Sequence, residues 1–362
     1  MVVRDDGRVA GSVSGGCVEG AVVTESLAVL ESGAPRLVSF GYSDDEAFAV
    51  GLTCGGVIDI FVAPEVPAVF PALEEALGSG TPVVLATVIA THAEETVGTA
   101  GLTYRPDTPD ADLPRHPIEL GASLLVYADG STVGSLGHPS LDRSVQRDAL
   151  GSLSVGRSTV RHYGLAGEAR ASEVEVFFDA YAGPPKMIIF GAVDFTAALA
   201  RIAKVLGFSV TVCDARATFA TIERFPMADA VVVDWPQRYL ASVGGGLGPR
   251  DAVCVLTHDP KFDVPAIVAA VATDVGYLGA MGSRRTHAER VERLREAGLG
   301  DEELRRVMAP IGLDLGARTP EEVAIAIVAE IVAHQTGHGQ TSLRDLDGPI
   351  HRRDDVADAP TR

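Results

Sequence analysis

An internal repeat constrains the fold of this chain more than any other feature of its sequence. When the chain is shifted by 123 residues, residues 1–41 align with residues 124–164 without a gap, and ten of the 41 positions are identical. Average residue usage would give only about three identities by chance. Because a repeat of this kind corresponds to one supersecondary unit, we predict that the N-terminal part is a duplicated α+β domain.

Both copies of the repeat have the pattern of two short strands, a helix and further strands. In each copy an apolar strand precedes an Asp-Gly turn, which is typical of a β-hairpin. The first copy predicts a helix over Val18–Leu30, which stops at Gly33, and then a strand over Arg36–Phe40. A final strand is predicted at Asp59–Val62 in the first copy and at Glu175–Phe178 in the second.

The second copy has a lead-in segment without a counterpart in the first. Pro82–Ala90 reads as an apolar strand that leads into the second copy, whereas the first copy starts at Met1. We therefore expect that the first copy lacks about 40 residues of lead-in, with a naturally degenerate half as the alternative. A lacking lead-in would leave a strand edge open in the first copy.

The two copies differ at a loop that could bind a ligand. The first copy reads Ser14-Gly15-Gly16-Cys17-Val18-Glu19, whereas the second reads GHPSLD over residues 137–142. A longer connection in the first copy also contains Cys54-Gly55-Gly56. Glycines let backbone N–H groups approach a ligand, a helix N-terminus favours an anion, and cysteine sulfur suits soft metals. These features predict a site for a phosphorylated, sulfur-bearing or metal-bearing cofactor, with plain helix capping as the alternative.

The remainder of the chain alternates strands with helices. After the Gly183-Pro184-Pro185 linker, strands are predicted at Lys186–Phe190, Ser209–Cys213, Asp229–Asp234 and Ala252–Leu256. The alternation predicts an α/β domain with a doubly wound, Rossmann-like parallel sheet. The expected domains are residues 1–78, 79–182 and 183–337, followed by a disordered tail at 338–362.

A glycine turn in this α/β part matches a dinucleotide-binding fingerprint only in part. Gly191 follows the first strand and Asp214 follows the second, but Val193 and Thr196 stand where the fingerprint has glycine. Asp194 also places a negative charge where a pyrophosphate would lie. We therefore favour a Rossmann-like scaffold with an altered pocket, and keep an NAD(P)-dependent oxidoreductase as the alternative function.

Two later loops supply further candidate ligands, because open α/β sheets bind ligands at the carboxyl ends of their strands. His258 and Asp259 follow the strand Ala252–Leu256, and Gly282-Ser283-Arg284-Arg285 follows the apolar segment Val275–Leu278. Arginines at the start of a helix can pair with phosphate. The alternative is a charged, solvated start of a helix.

Composition argues against several classes of protein. The formal net charge is -19 and no basic stripe is present, so binding to nucleic acid or to an anionic membrane is not expected. No apolar run reaches the roughly 18 residues of a membrane span, and no signal-peptide pattern begins the chain, so we expect a cytoplasmic protein. The four cysteines form no CxxC pair, which favours reduced thiols.

Five long segments carry a family resemblance. In chain order they are GSVSGGCVEGAV, FGYSDDEAFAVGLTCGG, THDPKFD, YLGAMGSRRTHAERVERLREAG and PIGLDLGARTPEEVAIAIVAEI. Together they resemble the XdhC/CoxI family of maturation factors for xanthine dehydrogenase and carbon-monoxide dehydrogenase, over residues 1–337. The resemblance implies an accessory protein without enzymatic activity that binds and protects the molybdenum cofactor. It also implies that a cysteine desulfurase sulfurates the bound cofactor, which is then delivered to the molybdenum subunit of a xanthine dehydrogenase-type hydroxylase.

The resemblance and the motifs together define the candidate site residues. In the first copy they are Ser14, Gly15, Gly16, Cys17, Glu19, Cys54, Gly55 and Gly56. In the α/β part they are Gly191, Asp214, His258, Asp259, Gly282, Ser283, Arg284 and Arg285. No metal ligand is assigned with certainty, and Cys17 is the candidate thiol nearest molybdenum. A homodimer is expected because the lopsided repeat leaves strand edges open.

Overall fold

Residues 1–41, 57–92, 118–169, 171–339 and 341–346 are described by a computed structural model. The described residues form two units, and the chain passes from the first to the second between Ala182 and Gly183. Unit 1 contains both copies of the repeat apart from Ser154–Gly156, and unit 2 contains the α/β part together with these three residues. Most of the predicted tail at 338–362 lies outside the described residues, which include a 3₁₀ helix at Leu343–Asp345.

Unit 1 contains the strands and helices that the repeat predicts. The first copy comprises β1 (Val2–Val3), β2 (Val9–Ala10), α1 (Glu19–Ser32), β3 (Arg36–Gly41) and β4 (Val57–Val62). Next come α2 (Phe70–Ser79) and β5 (Val83–Thr91). The second copy comprises β6 (Ser123–Tyr127), β7 (Thr132–Ser135), α3 (Pro139–Val155), β8 (Thr159–Tyr163) and β9 (Val174–Tyr181).

The second copy builds its sheet around β5, the predicted lead-in strand. The strand order is β7-β6-β5-β9-β8, and all neighbours are antiparallel. Val84, Ala86 and Val88 of β5 share a buried core with Val145 and Ala149 of α3. The alternate residues of β5 pack toward α2. Both faces of β5 are therefore covered, which explains why its sequence is apolar almost throughout.

Strand pairing confirms the predicted duplication. Val2 pairs with Ala10 across β1 and β2, and Leu125 and Val133, each 123 positions later, pair across β6 and β7. The strands β3 and β4 are antiparallel neighbours, as are β8 and β9. Within the described residues, β1–β2 and β3–β4 are two separate two-stranded sheets. Their counterparts in the second copy, β6–β7 and β8–β9, are joined by β5 into one five-stranded sheet.

Unit 2 is a doubly wound α/β fold. Its strands are β10 (Lys186–Phe190), β11 (Ser209–Cys213), β12 (Ala230–Val232), β13 (Ala252–Val255), β14 (Tyr277–Ala280) and β15 (Val307–Met308). Its helices are α4 (Asp194–Val205), α5 (Pro236–Val243), α6 (Pro260–Val271), α7 (Arg284–Glu296), α8 (Asp301–Arg305) and α9 (Pro320–Thr336), with a 3₁₀ turn at Gly244–Gly246.

The sheet of unit 2 is parallel with the order β12-β11-β10-β13-β14-β15, which is the strand order of dinucleotide-binding folds. Met187 and Ile189 of β10 enter the core that includes α4 and α9. Ile188 and Phe190 enter the opposite core, which includes α5 and α6. This alternation places helices on both faces of the sheet, so the predicted fold class is confirmed.

Candidate functional site

The loop between β2 and α1 is organised by the carboxylate of Glu19. Five backbone N–H groups donate to this carboxylate at 2.9 to 3.2 Å, those of Val13, Ser14, Gly15, Gly16 and Val18. The hydroxyls of Ser12 and Ser14 also donate to it, at 2.6 and 2.8 Å. The Ser12 hydrogen bond, followed by those from Ser14, holds the pKa of Glu19 far below its usual value.

This geometry corrects one expectation from the sequence. The N–H groups of the Ser14–Glu19 loop were expected to hold an anion of the cofactor, but they converge on the protein's own carboxylate instead. The hydroxyl of Ser14 is likewise engaged, since it donates to Glu19 and accepts from the N–H groups of Cys17 and Val18. Glu19 and Ser14 therefore shape the loop.

The second copy contains the same anchor without the same loop. Asp142, the counterpart of Glu19, accepts a hydrogen bond from the Leu136 N–H and another from the Ser135 hydroxyl, both at 2.7 Å. An acidic residue thus holds the loop in both copies, including the copy that has lost the glycines and the cysteine. The features particular to the first copy are Gly15, Gly16 and Cys17.

Gly15 and Gly16 present open backbone at the surface. Both are exposed and have positive φ angles, 77° and 119°, which favour glycine. No atom lies within 4 Å of the position that a Cβ would take at either residue. Cys17 follows directly, is half-buried, and packs against the small core around Val18 and Val22. A cysteine side chain therefore lies next to accessible backbone at the start of α1.

The second predicted Gly/Cys loop, which contains Cys54, Gly55 and Gly56, lies outside the described residues. The other candidates lie in unit 2, so the predicted site residues are divided between the two units.

In unit 2, Asp214 connects the ends of two neighbouring strands. Its carboxylate accepts from the Ala192 N–H at 2.8 Å and from the N–H, Nε and Nη2 of Arg216 at 2.9, 2.9 and 2.7 Å. Burial alone would raise the pKa of Asp214, but the hydrogen bonds from Arg216 and Ala192 outweigh burial and lower the pKa. Asp214 is only 4% exposed and already accepts four hydrogen bonds, so its carboxylate is poorly placed to accept another from a ribose hydroxyl.

Gly191 allows close packing at the carboxyl ends of β10 and β13. Its φ angle is 113°, and a Cβ there would lie 3.0 Å from Cγ2 of Thr257 and 3.2 Å from the carbonyl carbon of Leu256. The glycine therefore lets the turn after β10 approach the end of β13. The structure gives this residue a packing role that needs no nucleotide.

The remaining candidates of unit 2 lie at the starts of α6 and α7. Asp259 caps α6 by accepting from the Lys261 N–H at 3.1 Å, and Ser283 caps α7 by accepting from the Thr286 N–H at 3.1 Å. Gly282 precedes the second cap with a φ angle of 151°. Capping of α6 and α7 accounts for the polar side chains of Asp259 and Ser283.

Three charged or titratable candidates lie at the surface of these loops. His258 and Arg284 are exposed. Arg285 is also exposed and pairs with Glu289 at 3.2 Å, one turn along α7. These side chains are accessible, but the structure shows no convergence of them on a common point.

A buried polar cluster that the sequence does not reveal joins the same two loops. Nη2 of Arg290, which is 2% exposed, donates to Asp263 at 2.9 Å and to the carbonyl of Met281 at 2.7 Å. The hydroxyl of Thr257 donates to the other oxygen of Asp263. The cluster fixes the loop after β13 to the loop after β14. No sequence signal distinguishes Arg290 from the exposed arginines of α7.

Two further properties concern the described residues alone. They contain no group of three or more His, Cys, Asp or Glu side chains arranged to hold a metal ion. None of their helices has the length and apolar character needed to span a membrane.

Comparison with known proteins gives two family matches, which together cover more than half of the chain. The model of the XdhC and CoxI family matches residues 1–41 and 115–164. The model of the XdhC Rossmann domain matches residues 187–331.

Three relatives have similar sequences. A Bacillus subtilis protein, named as a probable subunit of xanthine dehydrogenase, is 26% identical over 92% of this chain and 86% of the relative. The molybdenum cofactor insertion chaperone PaoD from Escherichia coli is 27% identical over 92% of this chain and 76% of the relative. The E. coli protein YqeB is 30% identical over 60% of this chain, and the match spans only 40% of YqeB.

A solved structure supports the fold. The crystal structure of a xanthine dehydrogenase from Bacillus halodurans matches with a TM-score of 0.58 and 21% identity, over 93% of this chain and 86% of that one. The two family matches, in the order and at the positions of the repeat and the Rossmann-like unit, show that this chain belongs to the XdhC and CoxI family.

Proposed function

We propose that this protein is a cytoplasmic accessory factor that binds the molybdenum cofactor and serves a xanthine dehydrogenase-type hydroxylase. Family membership supports the proposal, as does similarity along most of the chain to a protein named as a molybdenum cofactor insertion chaperone. A second relative is named as a probable subunit of xanthine dehydrogenase, which supports a molybdenum hydroxylase as the recipient. On this proposal the chain itself has no enzymatic activity.

The observation that carries the proposal is the exposed Gly15-Gly16-Cys17 segment of unit 1. It combines open backbone with a half-buried cysteine, and the second copy has lost these features although it keeps the acidic anchor. Loss from one copy is expected when only the other copy retains a binding function. Helix capping alone does not explain the difference, because both copies begin a helix at this point.

The Cys17 side chain fits the cofactor, whereas the backbone N–H groups of the loop do not. Cysteine sulfur is a ligand for soft metals, so Cys17 suits a molybdenum centre with sulfur ligands. The backbone N–H groups do not provide a free anion cradle, because Glu19 accepts from them. We therefore assign contact to the open face of Gly15 and Gly16 and to the Cys17 side chain. Cys54, Gly55 and Gly56 remain proposed members of the same site.

The cofactor, when bound, carries the metal centre that the recipient hydroxylase uses for its chemistry. The residues of this chain would hold the cofactor, exclude water from it and release it to the recipient. Presentation to a cysteine desulfurase for sulfuration and assembly as a homodimer belong to the same proposal.

A retention assay tests the proposal. The purified protein is incubated with molybdenum cofactor, separated from free cofactor by gel filtration, and assayed for bound pterin by fluorescence after oxidation. Cys17→Ser gives the first loop the residue that the second copy has at the equivalent position, Ser140. We expect retention by the wild type, at least tenfold weaker retention by Cys17→Ser, and unchanged retention by the control Ser140→Ala. Absence of retention by the wild type, or equal retention by both variants, would reject the site.

The strand order of unit 2 is that of dinucleotide-binding folds, but the geometry of the candidate residues gives no support to the alternative function, an NAD(P)-dependent oxidoreductase. Asp214 already accepts four hydrogen bonds, and Gly191 packs against the end of β13.

A further inference from the structure

The start of α7 in unit 2 presents a run of backbone donors without acceptors. Four consecutive N–H groups donate to no acceptor among the described residues, those of Gly282, Ser283, Arg284 and Arg285. The Ser283 hydroxyl serves the next N–H group instead, that of Thr286, at 3.1 Å. Because α7 is a helix of 13 residues, free N–H groups at its start favour an anion.

Other loops at helix starts in this chain have an acceptor of their own. At the start of α1, Glu19 accepts from the N–H groups of Gly15 and Gly16, and at the start of α6, Asp259 accepts from the Lys261 N–H. The first turn of α7 contains no acidic residue. An external anion at α7 would therefore not compete with a carboxylate of that turn.

A buried guanidinium group with unused donors lies directly beneath this loop. Arg290 is 2% exposed, and its Nη2 donates to the Met281 carbonyl and lies 3.5 Å from the position that a Cβ would take at Gly282. Its Nη1 is buried and has no hydrogen-bond partner among the described residues. Because a donor buried without an acceptor costs free energy and is rare in native structures, Nη1 is a second indication of a ligand at this loop.

His287 supplies another unused polar atom at the same place. Its Nδ1 is buried and has no partner among the described residues. Burial, followed by the charge of Arg290, lowers the pKa of His287, so the imidazole is neutral at pH 7. A neutral imidazole that carries its proton on Nδ1 can donate one hydrogen bond to an anion.

The charges around the start of α7 also favour an anion. Arg285 pairs with Glu289 at 3.2 Å and Arg290 with Asp263 at 2.9 Å, whereas Arg284 is exposed and forms no ion pair among the described residues. One arginine is thus uncompensated next to the positive end of a helix, in a chain whose net charge is -19. A phosphoryl group suits this arrangement, because its oxygens accept from several N–H groups at once.

We propose that the start of α7 binds a phosphoryl group, as free phosphate or as a phosphate monoester. The ligand accepts from the N–H groups of residues 282–285 and pairs with Arg284. A small displacement of the loop at Gly282 brings it into contact with Nη1 of Arg290 and Nδ1 of His287. This site lies in unit 2 and does not depend on the cofactor site proposed for unit 1.

Calorimetric titration of the full chain with inorganic phosphate, at constant ionic strength, tests the proposal. We expect saturable binding to one site with a Kd on the order of 1 mM, since the ligand is small. Glycerol phosphate distinguishes the two sources, because tighter binding than that of phosphate indicates an ester and weaker binding indicates the free anion. Hydrogen exchange should slow at the amides of residues 282–285 when phosphate is added, and stay unchanged at residues 261–264 at the start of α6.

Two variants of α7 that change the net charge equally provide a matched comparison. Ser283→Asp keeps a favourable cap, so the helix should still form, but it places a carboxylate at the free N–H groups. Phosphate binding should weaken at least tenfold. Arg295→Gln makes the same change of charge in the last turn of α7 and should alter binding less than twofold.

Three outcomes would overturn the proposal. The first is the absence of saturable phosphate binding by the wild type. The second is equal affinity of the wild type and Ser283→Asp, and the third is binding without slower exchange at residues 282–285.

Discussion

Replacing Arg290 by methionine should destabilise unit 2 strongly. Arg290 is 2% exposed and makes an ion pair with the buried Asp263 as well as a hydrogen bond to the Met281 carbonyl. Methionine fills much of the volume but leaves the carboxylate of Asp263 with only the Thr257 hydroxyl as a partner. Removing one member of a buried ion pair costs about 3–5 kcal/mol of unfolding free energy, because the other charge stays buried and uncompensated.

Tryptophan fluorescence measures this effect in unit 2 selectively. The chain has a single tryptophan, Trp235, whose ring centroid lies 5.1 Å from that of Phe262, the neighbour of Asp263. Denaturant unfolding followed at this residue gives the free energy change. Arg285→Met is the control, since this arginine forms an exposed pair with Glu289 on the same helix and should change stability by less than about 1 kcal/mol.

A double variant tests the physical reason for the loss. Combining Arg290→Met with Asp263→Asn removes the uncompensated charge, so stability should recover by more than about 1 kcal/mol relative to Arg290→Met alone. A loss below about 1 kcal/mol for Arg290→Met, or no recovery in the double variant, would refute the account of this cluster.

Further predictions concern the loop of unit 1, the cysteines and the sheet edge of unit 2. Glu19→Gln should speed alkylation of Cys17 by iodoacetamide several-fold, because the loop loses its charged acceptor, whereas Asp142→Asn should leave that rate unchanged. At pH 8, peptide mass spectrometry should find Cys17 labelled and Cys213 unlabelled, because burial raises the pKa of the Cys213 thiol to about 12. Calorimetric titration with NAD and NADP should show no micromolar binding, and a Kd in that range that is lost in Asp214→Ala would contradict the role assigned to Asp214. Since the folded-state pKa of Asp214 is lowered, this residue stabilises unit 2 above its unfolded pKa of about 3.9, and the stabilisation is lost as pH falls through the folded value. Stability measured by Trp fluorescence should therefore fall less between pH 7 and pH 3 in Asp214→Asn than in the wild type.

Much of the fold could be predicted because the sequence repeats its local signals. The strand Ser209–Cys213 was predicted with its observed bounds, and α1 ends at Gly33 as its glycine indicates. Other boundaries differ by a few residues, and the predicted strand Asp229–Asp234 is shortened to Ala230–Val232. Strand ends depend on how far neighbouring strands pair, which a local pattern does not contain.

The role of Glu19 could have been inferred from the repeat. Ser12 and Glu19 recur as Ser135 and Asp142 at the same offset, and in both copies the serine hydroxyl donates to the acidic side chain. A paired recurrence of this kind indicates a contact. The glycine-rich loop alone predicts an anion site but does not identify the anion, because such a loop at a helix start can bind either a ligand or a carboxylate of the protein itself.

The buried cluster around Arg290 could not be predicted in the same way. Helix α7 contains five arginines, and the spacing that places one of them under the β14 loop depends on tertiary packing. Similarly, Asp214 occupies the sequence position of a ribose-binding acid. The four hydrogen bonds that it accepts from Ala192 and Arg216 depend on the folded conformation of the two turns, which the local sequence does not show.

Hydrogen exchange with and without molybdenum cofactor tests the central claim most directly, because each loop of the repeat is the internal control for the other. We expect the added cofactor to slow exchange in residues 12–20 and to leave the equivalent residues 135–143 unchanged. Equal protection of both segments, or protection confined to unit 2, would contradict a cofactor site in the first copy.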